Sequence, residues 1–135
     1  MLIIDSKYFE DSKIENGFYQ CSINWNKGDV LFQLCDEGEY LRANISIGSD
    51  IIENESKWAK KLREVLLKDI HGKTWAETEG EVLTEEEFMK KVELCLIVIE
   101  DSTISFWYDD GELYCGHNII VSSDPSGNEI NAYMA

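Results

Sequence analysis

Period-two alternation closed by short hairpin turns, at both ends of a chain whose middle runs at helical period, is the feature that most limits the possible folds. Tyr19, Cys21, Ile23 and Trp25 share one face of the first such segment, with Gln20, Ser22 and Asn24 on the other. The turn Asn26-Lys27-Gly28-Asp29 leads into Val30, Phe32 and Leu34, again at every second residue. Two half-buried strands joined so closely form a β-hairpin. The last third of the chain repeats the device. Val92 to Ile99 is continuous and rich in β-branched residues, which predicts a strand buried on both faces. Glu100-Asp101-Ser102 turns into Ile104 to Tyr108, and Asp109-Asp110-Gly111 turns into Leu113 to Val121. A loop with Pro125 and Gly127 then precedes a last strand, Glu129 to Met134. Asn16-Gly17 marks an early turn, so residues 1–16 are expected as an irregular arm or sheet edge.

The middle obeys a different period. Trp58, Leu62, Val65, Leu66 and Ile70 fall at helical spacing from Ser56, which is expected as the N-cap. His71-Gly72 is the expected stop. Lys57, Lys60, Lys61, Arg63, Glu64 and Lys68 occupy the other side of that helix, as a solvated face would. Residues 38–53 are read as a further helix, on a stripe of Leu41, Ile45 and Ile52 that Ile47, Gly48 and Ile51 blur. Thr84-Glu85-Glu86-Glu87 is a capping box that opens a short helix to Lys91. Helices grouped between hairpins imply one α+β domain over residues 1–135. Its sheet is expected to be mostly antiparallel, with two or three helices packed on one face.

Charge then narrows the function. The chain carries 27 acids against 12 bases, a net charge of −15. Residues 1–73 hold 13 acids and 10 bases, a net −3; residues 74–135 hold 14 and 2, a net −12. No Lys or Arg follows Lys91. Such a chain repels phosphate, which excludes nucleic acid and anionic membrane surfaces as partners and favours a protein with a basic surface. The longest apolar run, Leu94 to Ile99, is six residues and cannot span a bilayer. Met1 to Asp5 lacks the basic head of a secretory signal, so a cytoplasmic location is expected.

Motifs for chemistry are few. Cys21, Cys35, Cys95 and Cys115 form no CxxC pair, so they are expected as reduced, metal-free thiols in the core. Asp109-Asp110 and Glu85-Glu86-Glu87 are better explained as turn and cap chemistry than as cation ligands, since adjacent positions diverge. No glycine-rich phosphate loop or nucleophile elbow occurs, and no cofactor, metal or small-ligand pattern is present. Cys115 and His117 lie two residues apart and could share one face. A small hydrolase built on them, cysteine- or metal-dependent, is the enzyme alternative, against the plainer reading of a structural histidine. Trp107 is out of phase with Ile104, Phe106 and Tyr108. It is expected on the opposite sheet face, either covered by a helix or exposed as a binding anchor.

The segment Phe106-Trp107-Tyr108-Asp109-Asp110-Gly111-Glu112-Leu113-Tyr114-Cys115-Gly116-His117-Asn118-Ile119-Ile120-Val121 resembles the C-terminal hallmark of the bacterial domain of unknown function 2262 family. The resemblance extends over roughly residues 18–134, with Trp58 on a helix, Trp75, and Thr84 opening a short helix. The family in turn resembles small acidic proteins encoded beside contact-dependent toxins. That implies an immunity protein, not an enzyme, which neutralises a cationic toxin domain such as a nuclease. Trp107, Asp109, Asp110 and Glu112 are the residues expected to meet the toxin.

Overall fold

The computed structural model describes residues 8–9, 12–35, 40–71, 83–111 and 118–135. Seven strands form one sheet in simple sequence order: β1 (Lys13–Glu15), β2 (Phe18–Trp25), β3 (Gly28–Cys35), β4 (Glu93–Glu100), β5 (Thr103–Asp109), β6 (Asn118–Ser123) and β7 (Ile130–Met134). Between β3 and β4 the chain makes α1 (Leu41–Glu53), α2 (Glu55–Leu66), a π-helical turn (Leu67–His71) and α3 (Glu85–Lys91). The α+β class and the mostly antiparallel sheet are as expected. β3 and β4 are the parallel pair, with Leu31 opposite Leu96 and Leu34 opposite Ile99. The reason is connectivity: the helical layer carries the chain back across the sheet before β4 begins.

Local chemistry explains the boundaries. Asn16 and Gly17 have φ of 52° and 82°, the left-handed pair a tight hairpin needs, and they join β1 to β2. The arm before β2 is thus a sheet edge, but it also supplies core. Phe9 is fully buried against Phe32, ring centroids 5.9 Å apart. A Cβ on Gly48 would lie 2.8 Å from the Phe9 ring, so only glycine there lets α1 close over it.

Asn54, not Ser56, starts α2. Its carbonyl accepts from the Trp58 amide at 3.1 Å, while its own amide donates to Asp50 O at 2.9 Å. One residue therefore ends α1 and begins α2, and Ser56 lies exposed in the first turn. The Thr84 capping box is formed in both directions. Thr84 Oγ1 accepts from Glu87 N at 3.1 Å, and Glu87 Oε1 accepts from Thr84 N at 3.0 Å. Trp75 and Gly72 lie outside the described residues.

Helices cover one sheet face. Leu41, Ile51, Trp58, Leu62, Val65, Leu66, Ile70 and Phe88 pack against Val30, Phe32, Leu34, Ile97, Ile99, Ile104, Phe106, Ile119 and Val121 in one cluster. Each large apolar side chain so buried contributes about 1.5–3 kcal/mol. Two polar groups in this layer are answered: Trp25 Nε1 donates to Ile51 O at 3.0 Å, and Asn44 Nδ2 to Cys35 O at 3.1 Å. At the sheet edge, the amide of Ala132 on β7 donates to Asp69 Oδ2 at 3.0 Å, from the π-helical turn.

β4 is not buried on both faces. Ile97 and Ile99 are sealed, whereas Leu96 and Val98 are half-buried, because the helices lie on one side of the sheet. A bulge between Leu94 and Leu96 makes Cys95 the extra residue, and its side chain is exposed. Among the described residues, Cys21, Cys35 and Cys95 form no disulfide. Cys95 therefore departs from the expected core placement; Cys115 lies outside the described residues.

Candidate functional site

The face of the sheet turned away from the helices is organised in rows. Cross-strand register aligns Leu31 with Leu96, Leu96 with Trp107, Trp107 with Ile120 and Ile120 with Tyr133. These five apolar residues form one continuous row across β3 to β7, about 19 Å at roughly 4.8 Å per strand. Ile120 is covered by its neighbours, Leu31, Leu96 and Trp107 are half-buried, and Tyr133 is 45% exposed. Trp107 Nε1 is enclosed and makes no hydrogen bond among the described residues.

Flanking rows differ in character. On one side stand exposed Asp29, and Glu93 opposite Asp109. On the other, Gln20, Gln33, Val98, Ser105, Ser122 and Asn131 follow one another in register. Gln33 Nε2 donates to Gln20 Oε1 at 2.9 Å within it. Strands β2 to β7 contain no Lys or Arg. The described cations are Lys13 on β1, Lys27 in the β2–β3 turn, and Arg42, Lys57, Lys60, Lys61, Arg63, Lys68, Lys90 and Lys91 in the helical layer. Among the described residues the helical side thus carries mixed charge, while the fixed charges of strands β2 to β7 are carboxylates.

Among the residues expected to meet a partner, Trp107 and Asp109 lie on this outer face. Trp107 has no described helix over it and sits at the centre of the apolar row. Asp109 is exposed, and its Oδ1 accepts from Gly111 N at 2.8 Å, which closes the turn. Asp110 is only 2% exposed, so it belongs to the turn's interior and is not a solvated contact. The turn is held tightly because Gly111 has φ of 61° and a Cβ there would lie 2.3 Å from Lys91 O. Glu112, Cys115 and His117 lie outside the described residues. Sequence reasoning misses Leu31, Leu96, Ile120, Tyr133, Asp29 and Glu93. Each strand's alternation marks them as outward, but only the register between strands places them in rows.

The titratable groups of the site have identifiable environments. Partial burial pushes the Cys95 thiol up, and the Glu93 and Asp109 carboxylates add to this, while the Asp109 backbone N–H opposes it. Tyr108, on the helical side, is raised by burial alone. Among the described residues no cluster of three or more His, Cys, Asp or Glu side chains is arranged to hold a metal ion. Nor is any helix there long and apolar enough to cross a membrane.

The sequence model of a bacterial family, described as "Uncharacterized protein conserved in bacteria (DUF2262)", matches residues 9–134. No curated protein and no solved structure matches the chain. The match takes in every strand and helix from the buried Phe9 to the end of β7, and by it the chain belongs to that bacterial family.

Proposed function

We propose that this chain is a cytosolic immunity protein that binds and neutralises a cationic toxin domain through the outer face of its sheet. The observation that carries the reading is the apolar row centred on Trp107, bordered by Asp29, Glu93 and Asp109 on strands without a base. An apolar row with no described helix over it and an exposed end at Tyr133 suits a protein partner, since apolar surface patches mark interaction sites. The bordering carboxylates select a basic partner and speed the encounter. A nuclease domain, whose active site attracts phosphate, has such a surface. The antitoxin part of the reading rests on the family's resemblance to small acidic proteins encoded beside toxins.

A standard interface takes about 800 Å² from each partner. The test is protection from the toxin domain encoded next to this gene. Co-expression of the parent should restore growth, and the Leu96→Asp/Trp107→Ala double variant, if folded by circular dichroism, should not. Growth equally restored by the folded double variant would move the contact off this face. No protection by the parent would remove the immunity reading altogether.

A further inference from the structure

On the helical side of the sheet, below the β2–β3 turn, lies a cavity of about 220 Å³ between α2, α3 and the start of β4. Trp25, Leu62, Met89 and Tyr108 give it apolar and aromatic walls, and Lys27, Arg63 and Glu93 supply its charges. Two properties set it apart from a packing defect.

The first is Tyr108. It is 5% exposed and lines the cavity, yet its hydroxyl makes no hydrogen bond among the described residues. Burial is the one influence on its ionisation, as expected of a phenol without a partner. The cavity is open to water, so a ligand's polar substituent can take the place of water on that hydroxyl. The second is sign. Two cations against one carboxylate make the lining net positive, in a chain of net charge −15. Arg63 also donates to Glu86 Oε1 at 3.1 Å, and its guanidinium retains further donors. The space is many times the roughly 10–15 Å³ that one water needs, which admits a molecule of one substituted ring.

We propose that this cavity binds a small aromatic carboxylic acid, its carboxylate facing Lys27 and Arg63 and a polar ring substituent bonded to the Tyr108 hydroxyl. Charge-assisted bonds to the carboxylate supply orientation, and the ring replaces water against Trp25 and Leu62. The site is independent of the partner face. Apart from Glu93, which also borders the partner face, its residues lie at the β2–β3 turn, on α2 and α3 or on the helical side of the sheet, and its occupancy needs no toxin.

The probes are 4-hydroxybenzoate, benzoate and benzylamine, titrated into the full chain by calorimetry and by Trp25 indole NMR shifts. 4-Hydroxybenzoate should saturate with Kd in the millimolar range or tighter, as the small number of ligand atoms dictates. Benzoate should bind about tenfold more weakly, the worth of one hydrogen bond. Benzylamine should not saturate. Tyr108→Phe should erase the difference between the two acids while leaving the fold unchanged. Ala59→Leu, which fills the cavity from α2, should abolish binding of both acids with the melting temperature retained. Trp107→Ala should leave the titrations unaltered, which separates this site from the partner face. Failure of both acids to bind, benzylamine binding as well as benzoate, or full binding by Ala59→Leu would each overturn the proposal.

Discussion

Trp107 on β5 and Ile120 on β6 are direct cross-strand partners on the face opposite the helices. Ile120 is 4% exposed, while the indole N–H of Trp107 is enclosed without an acceptor among the described residues. The fold thus keeps an indole where a phenyl ring would leave no donor unmet. An unmet donor costs about 1–3 kcal/mol. Trp107→Phe is therefore expected to hold stability within about 1 kcal/mol of the parent in urea denaturation, as lost area and relieved donor offset each other. The same variant should release the proposed toxin partner about tenfold faster, since an aromatic anchor acts mainly on dissociation. A dissociation rate equal to the parent's would assign the indole a purely structural part.

The acidic border makes a kinetic prediction. Exposed charges act over about 10 Å at 0.1 M salt. Association with the proposed basic partner should fall steeply as salt rises, with dissociation changing little. Asp29→Asn, Glu93→Gln and Asp109→Asn together should slow association and leave the melting curve in place, because the Asp109→Asn change keeps a side-chain oxygen for Gly111 N to reach. Stopped-flow mixing at two ionic strengths measures both effects. Asp110 behaves differently: it is buried, and Asp110→Ala should destabilise the fold by about 1–3 kcal/mol.

Two glycines separate conformation from crowding. Gly17 has φ of 82° with open space around its missing Cβ, while Gly111 has φ of 61° and would drive a Cβ to 2.3 Å from Lys91 O. Gly17→Ala should cost about 1–2 kcal/mol, the penalty of a left-handed residue. Gly111→Ala adds overpacking and should cost about 2–5 kcal/mol. Equal losses in urea denaturation would show that the turn moves freely away from α3.

Acid should weaken the fold through two exposed carboxylates. The Thr84 amide and hydroxyl hold Glu87 below the usual carboxylate range, and the Ser126 hydroxyl, followed by backbone amides, does the same for Asp124. A carboxyl with a depressed folded pKa stabilises above its ordinary value near pH 4 and loses that contribution as pH falls through the lowered one. Thr84→Ala should cost about 1 kcal/mol at neutral pH. It should also flatten the decline in stability below pH 4, measured as urea midpoints at a series of pH values. NMR titration of Glu87 in this variant should move upward.

Cys95 offers a chemical check on the bulge. It is exposed whereas Cys35 is buried, and its raised pKa keeps it mostly protonated at neutral pH. Iodoacetamide should modify Cys95 in the native protein slowly at pH 7 and faster in alkali, with the Cys35 peptide unmodified until denaturant is added. Equal labelling of both before unfolding would contradict the bulged register.

Much of this fold can be read from the chain because local chemistry and burial agree. The alternation of Tyr19 to Trp25, the stripe from Trp58 to Ile70 and the Thr84 box each name their own structure. What escapes such reading needs partners distant in sequence. Phe9 is core because Gly48, on another element, makes room for it. The parallel β3–β4 pairing follows from where the helical layer returns the chain, which no local pattern encodes. Val98 reads as buried on both faces by composition, yet one side of its strand has no described cover. Phase alone puts Trp107 on the outer face, but its row requires four registers at once. Asp110 reads as a solvated turn residue, and only the approach of α3 to Gly111 shows how enclosed that turn is.

The carboxylate of Asp69 on the amide of Ala132 has a consequence for how the chain survives crowding. β7 ends the sheet, and an end strand is a template on which copies can stack into fibres. Here the middle amide of that edge is already taken by the molecule's own side chain. A foreign strand must evict Asp69 before it can zip up, and the first rung of a growing ribbon is thereby made unfavourable. Such a guard keeps copies of the chain dispersed rather than lost to aggregates.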